Sequence, residues 1–268
     1  MNSNVPSTRE FDPGLGIHFD PQEFRFTYDV DVFGPPNAEL RGLDSIRASL
    51  RDPHCSGPDP VYAIVMDVGR SAQAAELKRR MLLYGVVAYA KGRLGTEPVR
   101  SQGHIHAIAP HCGWSTPEVV EIWKGKAIVY LQKDVTDHPE CCVAIEAGVG
   151  DVVVIPPAWA HFIINADPES EMVFGAFCDR EYGFVYDAVR RRGGLAWFAQ
   201  YGAEDRIEWK PNPAYSTSEL TVRPARSYPE FRLEARRSIY EQFSSEPKRF
   251  QWISEPAIHA DLWESFQP

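Results

Sequence analysis

Gly103-His104-Ile105-His106 and Gly150-Asp-Val-Val-Val-Ile-Pro156-Pro157-Ala158-Trp159-Ala160-His161-Phe-Ile-Ile-Asn165 are the two stretches whose reading decides the fold. Each sets histidine beside apolar, β-branched residues, and in a strand successive side chains alternate between faces. His104 and His106 therefore point the same way, and a partner strand can bring His161 onto that face. Between them lies Glu118-Val-Val-Glu121-Ile-Trp-Lys124-Gly125-Lys126, which offers two carboxylates. Alternation sends Glu121 to the face opposite Glu118, so Glu118 joins the histidines and Glu121 is expected at the surface or an interface. Three neutral imidazoles and one carboxylate suit one divalent transition metal (Fe, Mn, Ni, Co or Zn), with positions left open for substrate.

Working outward, apolar β-branched runs recur at 61–66, 82–90, 119–131, 142–145, 152–155, 162–164 and 172–177, separated by Gly, Pro and Asp turns. Many short strands at this spacing read as an all-β sandwich or barrel. Residues 1–37 read as an extended arm with short strands. Leu40, Leu43, Ile46 and Leu50 fall at helical spacing and predict an amphipathic helix over 38–51, which the turn residues at 52–60 end. Residues 185–200 start as a helix and break at Gly193-Gly194. Phe231, Ala235, Ile239 and Phe243 recur every four residues and predict a helix over 229–243. The tail beyond it holds Trp252, Ile253, Ile258, Leu262, Trp263 and Phe266, too aromatic for a disordered linker. It is expected on the outer face of the barrel or across a dimer interface; the alternative is a lid over a neighbouring subunit's pocket. The organisation expected is an N-terminal arm and helix (1–60), a β-barrel (61–183) and a helical or extended C-terminal segment (184–268).

The two histidine stretches resemble the two cupin motifs, G-x5-H-x-H-x3-4-E-x6-G and G-x5-P-x-G-x2-H-x3-N. The second matches from Gly150 through Pro156 and His161 to Asn165, with Ala158 in place of the central glycine. The first departs in its loop, where 11 residues (107–117) separate His106 from Glu118. The x6-Gly spacing to Gly125 and the Lys-Gly-Lys register both select Glu118. Within cupins the chain is similar to the cupin-type glucose-6-phosphate isomerases, on Gly-His-Ile-His, on the block from Glu118 to Lys126 and on Ile155-Pro156-Pro157-Ala-Trp-Ala-His161. Glu-Tyr-Gly at 181–183 and Trp-Lys-Pro-Asn-Pro at 209–213 resemble later landmarks, so the likeness covers roughly residues 62–215. It implies a cupin double-sheet jelly roll, a metal held by His104, His106, Glu118 and His161, and aldose–ketose isomerisation of a sugar. It also makes Glu118 a candidate base, through an enediol; a hydride shift between C1 and C2 is the competing mechanism.

That family binds the phosphate end of its sugar with hydroxyl, amide and histidine groups. Ser101 keeps a hydroxyl, Gly103 a backbone donor, and Tyr182 is retained, which makes these three candidate substrate contacts and Tyr182 a candidate catalytic residue beside Glu118. Val87, Val120 and Cys178 stand where the family has threonine or tyrosine. Each lost donor to a charged group is worth about 1.5–3 kcal/mol, so another cation should compensate. Arg180 is the expected one, gripping a phosphate, sulfonate or carboxylate bidentately; its structural alternative is a surface pair with Asp179 or Glu181. Arg100 and Lys91 are further candidates, and His111 in the enlarged loop could border the pocket. The substrate expected is glucose 6-phosphate with fructose 6-phosphate, or another hexose anionic at C6, such as a sulfonated one. The alternatives are a non-haem Fe(II) dioxygenase and a non-catalytic sugar-binding cupin.

Composition narrows the classes. The chain has 268 residues, 44% of them hydrophobic, and a formal charge of −9. That charge argues against a nucleic-acid partner. No run of about 18 apolar residues suggests a membrane helix, and residues 1–10 lack the regions of a signal peptide. Five cysteines without framework spacing fit a reducing compartment, so the expectation is a cytoplasmic protein. Adjacent Cys141 and Cys142 face opposite ways in a strand and read as packing residues. The resemblance to cupins, whose open sheet edges and apolar outer faces are commonly paired, implies a homodimer.

Overall fold

Two β-sheets face one another in a computed structural model that describes residues 11–216 and 219–268. The signal-peptide reading of residues 1–10 lies outside that range. The larger sheet is antiparallel throughout and runs, edge to edge, Val152–Ile155, Glu118–Lys124, Met172–Asp179, Leu82–Tyr89, Tyr62–Met66 and Glu39–Arg41. The smaller runs Ala160–Asn165, Ala127–Gln132, Cys142–Ala147 and Leu220–Pro224, the last pair parallel. Isolated bridges tie Arg100 to Ile164 and His104 to His161. The expected double-sheet cupin jelly roll forms, as two separate ladders rather than one closed barrel.

Three apolar layers explain why the strands read as continuous apolar runs. Between the sheets, Val120, Ile122, Ile155 and Phe174 of the larger meet Val129, Leu131, Val143 and Ile163 of the smaller. The outer face of the larger sheet, with Tyr84, Val119 and Phe177, is covered by Phe231, Tyr240, Phe243, Phe250 and Trp252. Beyond the smaller sheet, Tyr130, Ala144 and Phe162 pack on Val189, Leu195 and Tyr215. Strands buried on both faces lose the alternation that a half-solvated sheet shows. The aromatic tail is therefore an outer layer over its own chain's sheet. Among the described residues no helix is long and apolar enough to cross a membrane.

Three local expectations change. Residues 38–51 do not form one helix: Glu39–Arg41 pairs with Tyr62–Met66, and two 3-10 turns, Leu43–Ser45 and Arg47–Ser49, follow. Sheet pairing takes Leu40 out of the apolar stripe and leaves it exposed, while Leu43, Ile46 and Leu50 stay buried. The helix expected over 229–243 is confined to Ile239–Ser245, because Arg232 and Arg236 adopt left-handed φ of 58° and 63°. Its start is set by Ser238, whose side chain accepts the Glu241 N–H. The third change is Glu121: it faces away from Glu118 as alternation requires, yet it is buried, not superficial, at 1% exposure. Its carboxyl accepts the Ile239 N–H at 2.9 Å and the Trp123 Nε1–H at 3.2 Å, pinning the C-terminal helix to the sheet.

Burial pushes the Glu121 carboxyl up to about 8. Between its unfolded value and that figure the folded chain binds the extra proton, so stability falls as pH rises through this window. The expected slope approaches 1.4 kcal/mol per pH unit, roughly the cost of one proton per unit. Glu121→Gln should flatten the dependence in urea titrations between about pH 5 and 8; identical slopes in the two proteins would contradict the account.

Candidate metal centre and pocket

The paired strands that expose alternate residues to the space between the sheets also build its pocket. Glu118 opens the strand Glu118–Lys124 and pairs with Ile155. His161 lies on Ala160–Asn165, and its backbone exchanges both hydrogen bonds with that of His104, at 2.9 and 3.0 Å. His106 follows on Ile105–His106, which pairs with Phe184–Val185, and the Phe184 ring lies 4.3 Å from that of His104. The ligating atoms of His104, His106 and His161 all lie within 4.8 Å of one another. Glu118 Oε2 is 3.3 Å from His106 Nε2 and 3.8 Å from His161 Nε2.

Hydrogen bonds on the far side of two rings decide which nitrogen faces in. His106 Nδ1 lies 2.7 Å from the Thr116 carbonyl oxygen, and His161 Nδ1 lies 3.2 Å from that of Trp159. A carbonyl only accepts, so each Nδ1 carries the N–H, and in the neutral ring each Nε2 turns a lone pair inward. His104 Nε2 is buried with no hydrogen-bond partner. Burial and the neighbouring imidazoles hold His104 well below the ordinary histidine range, and His161 at about 4. Burial alone would raise Glu118, but the His106 contact outweighs it and keeps the carboxyl low, as the same contact raises His106. Inward lone pairs and a carboxylate oxygen at these separations repel one another unless a proton or a cation lies among them. The donor set fits a divalent metal ion, and these four residues could hold one.

The enlarged loop at 107–117 is secured from several sides. It folds as a small hairpin of Ile108–Ala109 with Trp114–Ser115. Ser115 Oγ donates to the His106 carbonyl at 2.7 Å and accepts the Ala158 N–H at 2.9 Å. Ala158, at the motif's glycine position, has a left-handed φ of 66°; this turn is fixed by its partners rather than by residue preference. His111 Nε2 reaches the Ser254 carbonyl at 3.0 Å, and the ring lies against Asp179 at 3.3 Å and Glu181 at 3.2 Å. His111 thus ties the loop to the C-terminal layer, outside the pocket lining.

The pocket has a volume of about 200 Å³. Ser101 and Tyr182 line it; Gly103 does not. Val87 and Cys178 line it also, at positions where apolar or thiol groups leave sugar hydroxyls without donors. Arg180 is not brought there. Its guanidinium is held by both Asp67 oxygens, at 2.8 and 2.9 Å, and by the Leu82 carbonyl at 2.9 Å. Arg100 is buried beside Glu97, at 3.6 Å. Lys91 is also absent from the lining. The cation that does line the pocket is Arg41, with Glu39, Tyr62 and Tyr186, none of which the sequence patterns single out. The signal for the first two is the i,i+2 spacing of Glu39 and Arg41 around Leu40.

Fold and site together define a cupin with a candidate metal centre. A family model described as glucose-6-phosphate isomerase matches residues 38–216, well over half of the chain, and the chain belongs to that family. It is accordingly an enzyme of the isomerase class. A glucose-6-phosphate isomerase of Thermococcus onnurineus (strain NA1) is 26% identical over 156 residues, covering 57% of this chain and 75% of that protein. One of Thermococcus gammatolerans is 28% identical over 159 residues, covering 59% and 75%. Among solved structures, an oxalate oxidase is similar at 20% identity and a TM-score of 0.34, covering 47% of this chain and 55% of that one.

Replacing His111 with alanine should remove the bond to the Ser254 carbonyl and the contact with Asp179, whose Oδ1 keeps the Glu181 N–H. The expected result is faster amide exchange in 107–117 and 251–255 and a stability loss of about 1–3 kcal/mol. Unchanged protection in both segments would show that this contact does not secure the loop.

Proposed function

We propose that this chain is a metal-dependent aldose–ketose isomerase acting on a hexose that is anionic at C6, with glucose 6-phosphate and fructose 6-phosphate as the leading pair and a 6-sulfonated hexose as the variant. The observation that carries the reading is the approach of Glu118 Oε2 to two inward imidazole nitrogens, at 3.3 and 3.8 Å, beside the orphaned His104 Nε2. His104, His106, Glu118 and His161 would hold the ion; which metal it is stays open among Fe, Mn, Ni, Co and Zn. When bound, it supplies Lewis-acid polarisation of the sugar's C1 and C2 oxygens.

The rest follows from the chain's own groups. Isomerisation moves a proton between neighbouring carbons, so a base must sit beside C1 and C2. Glu118 is kept ionised by His106 and faces the pocket, which suits its carboxylate to take the proton from one carbon and return it to the other, an effect worth about 10²–10⁴-fold. Tyr182 stands at the mouth with its ring 5.3 Å from Phe184, where its hydroxyl can meet a sugar oxygen. Ser101 Oγ accepts the Ile163 N–H at 3.1 Å and keeps its own hydrogen to donate. The apolar walls of Val87, Phe174 and Ala176 exclude water from the carbons that react.

Metal analysis of the native protein should find one ion per chain. His161→Ala should lose that ion and the conversion of glucose 6-phosphate to fructose 6-phosphate together, whereas Glu121→Gln, on the opposite face, should retain both. Equal metal loss in the two variants would overturn the ligand assignment. Sugar turnover that consumes O2 would move the protein to the dioxygenase class, and tight binding without turnover would make it a sugar-binding cupin.

A further inference from the structure

We infer that Arg41 is the anion anchor of the pocket, the residue that selects a sugar carrying a tetrahedral oxyanion, phosphate or sulfonate, at the end away from the candidate metal centre. This deepens the proposed isomerase reading and rests on it for the identity of the sugar. Among the described residues that line the pocket, Arg41 is the single arginine or lysine. It comes from the edge strand Glu39–Arg41 of the larger sheet and pairs with Tyr62 across the ladder. Alternation turns Glu39 and Arg41 inward together and leaves Leu40 outside at 53% exposure. It shares the pocket lining with Tyr182 and Tyr186, whose rings lie 5.3 and 6.0 Å from that of Phe184. Arg41 therefore stands in one cavity with phenols and the imidazole cluster.

Two features show that this arginine is available to a ligand. It lines the pocket with its side chain 29% exposed, whereas Arg100 and Arg180 do not line it. Its one ion pair runs from Nη2 to Glu39 Oε1 at 2.6 Å, and the Glu39 side chain is 57% exposed. A pair with so exposed a carboxylate is weak, so Glu39 can swing into solvent when a dianion arrives. The terminal edge of the planar guanidinium, freed when Glu39 moves, matches two oxygens of a phosphate or sulfonate. Arg180 offers no such group to the pocket, because it does not line it and both of its terminal nitrogens are taken by Asp67 and the Leu82 carbonyl.

The test is calorimetric titration of the metal-loaded protein with glucitol 6-phosphate, with 6-deoxy-6-sulfoglucitol and with glucitol. None of the three has a carbonyl to isomerise, so binding is read apart from turnover. Arg41→Gln should weaken the anionic probes roughly 10- to 100-fold, as expected for lost charge-assisted hydrogen bonds, and leave glucitol unchanged. Arg41→Lys should restore part of the loss, and Glu39→Gln should tighten the anionic probes by freeing the fork. The probe held more tightly by the native protein identifies phosphate or sulfonate. Native protein that binds neither anionic probe, or an Arg41→Gln variant with native melting that binds them within about twofold of the native protein, would overturn the anchor. Arg41-dependent binding without turnover of any sugar would retire the isomerase reading and leave the anchor standing. Turnover of glucose 6-phosphate with Arg41-independent binding would do the reverse.

Discussion

Everything in this molecule is arranged around one electrostatic constraint: three imidazoles and a carboxylate converge in a buried space with their lone pairs facing one another. Such a set is unfavourable on its own, because burial penalises charge and His104 Nε2 has no hydrogen-bond partner. It persists because backbone carbonyls of Thr116 and Trp159 fix two rings from behind and because His104 and His161 are bound to each other through the main chain. A divalent ion held by these four residues would relieve the repulsion among them.

Rigidity of that kind needs sheets that cannot flex, and here both are clamped from outside. The C-terminal layer lays Tyr240, Phe243 and Phe250 against Phe177, with ring centroids 4.9 to 6.0 Å apart. It is locked by Glu121 to the Ile239 amide and by His111 to the Ser254 carbonyl. Segment 187–215 does the same for the smaller sheet through Val189, Leu195 and Tyr215. Both clamps attach to the strands or loops that carry the candidate ligands, so the outer layers act on the site through position, without entering the pocket.

How much of this is legible in the sequence depends on whether the deciding contact is local. The period-2 spacing of His104 and His106 and the run ending in His161 suffice to place three candidate ligands on one face, and alternation separates Glu118 from Glu121. Ser101 and Tyr182 are found through neighbouring landmarks. What stays hidden is set by distant partners. Glu121 is buried by a residue 118 positions away in the chain. Arg180 is removed from the pocket by Asp67, 113 positions away. Arg41 is concealed because a three-residue edge strand carries too little pattern to outweigh the helical spacing of Leu40, Leu43 and Ile46, and only pairing with Tyr62–Met66 reveals its face. The helix expected over 229–243 fails where Arg232 and Arg236 turn left-handed, which no apolar spacing encodes.

The central claim is that this pocket interconverts an aldose and a ketose with a metal and without oxygen. Proton NMR of the metal-loaded protein with glucose 6-phosphate in D2O under nitrogen tests it most directly. The account predicts fructose 6-phosphate at the same rate with and without air, deuterium at C1 or C2 from the carboxylate's exchange with solvent, and arrest on chelation. A metal-loaded protein that leaves every C6-anionic hexose unchanged under nitrogen would contradict it.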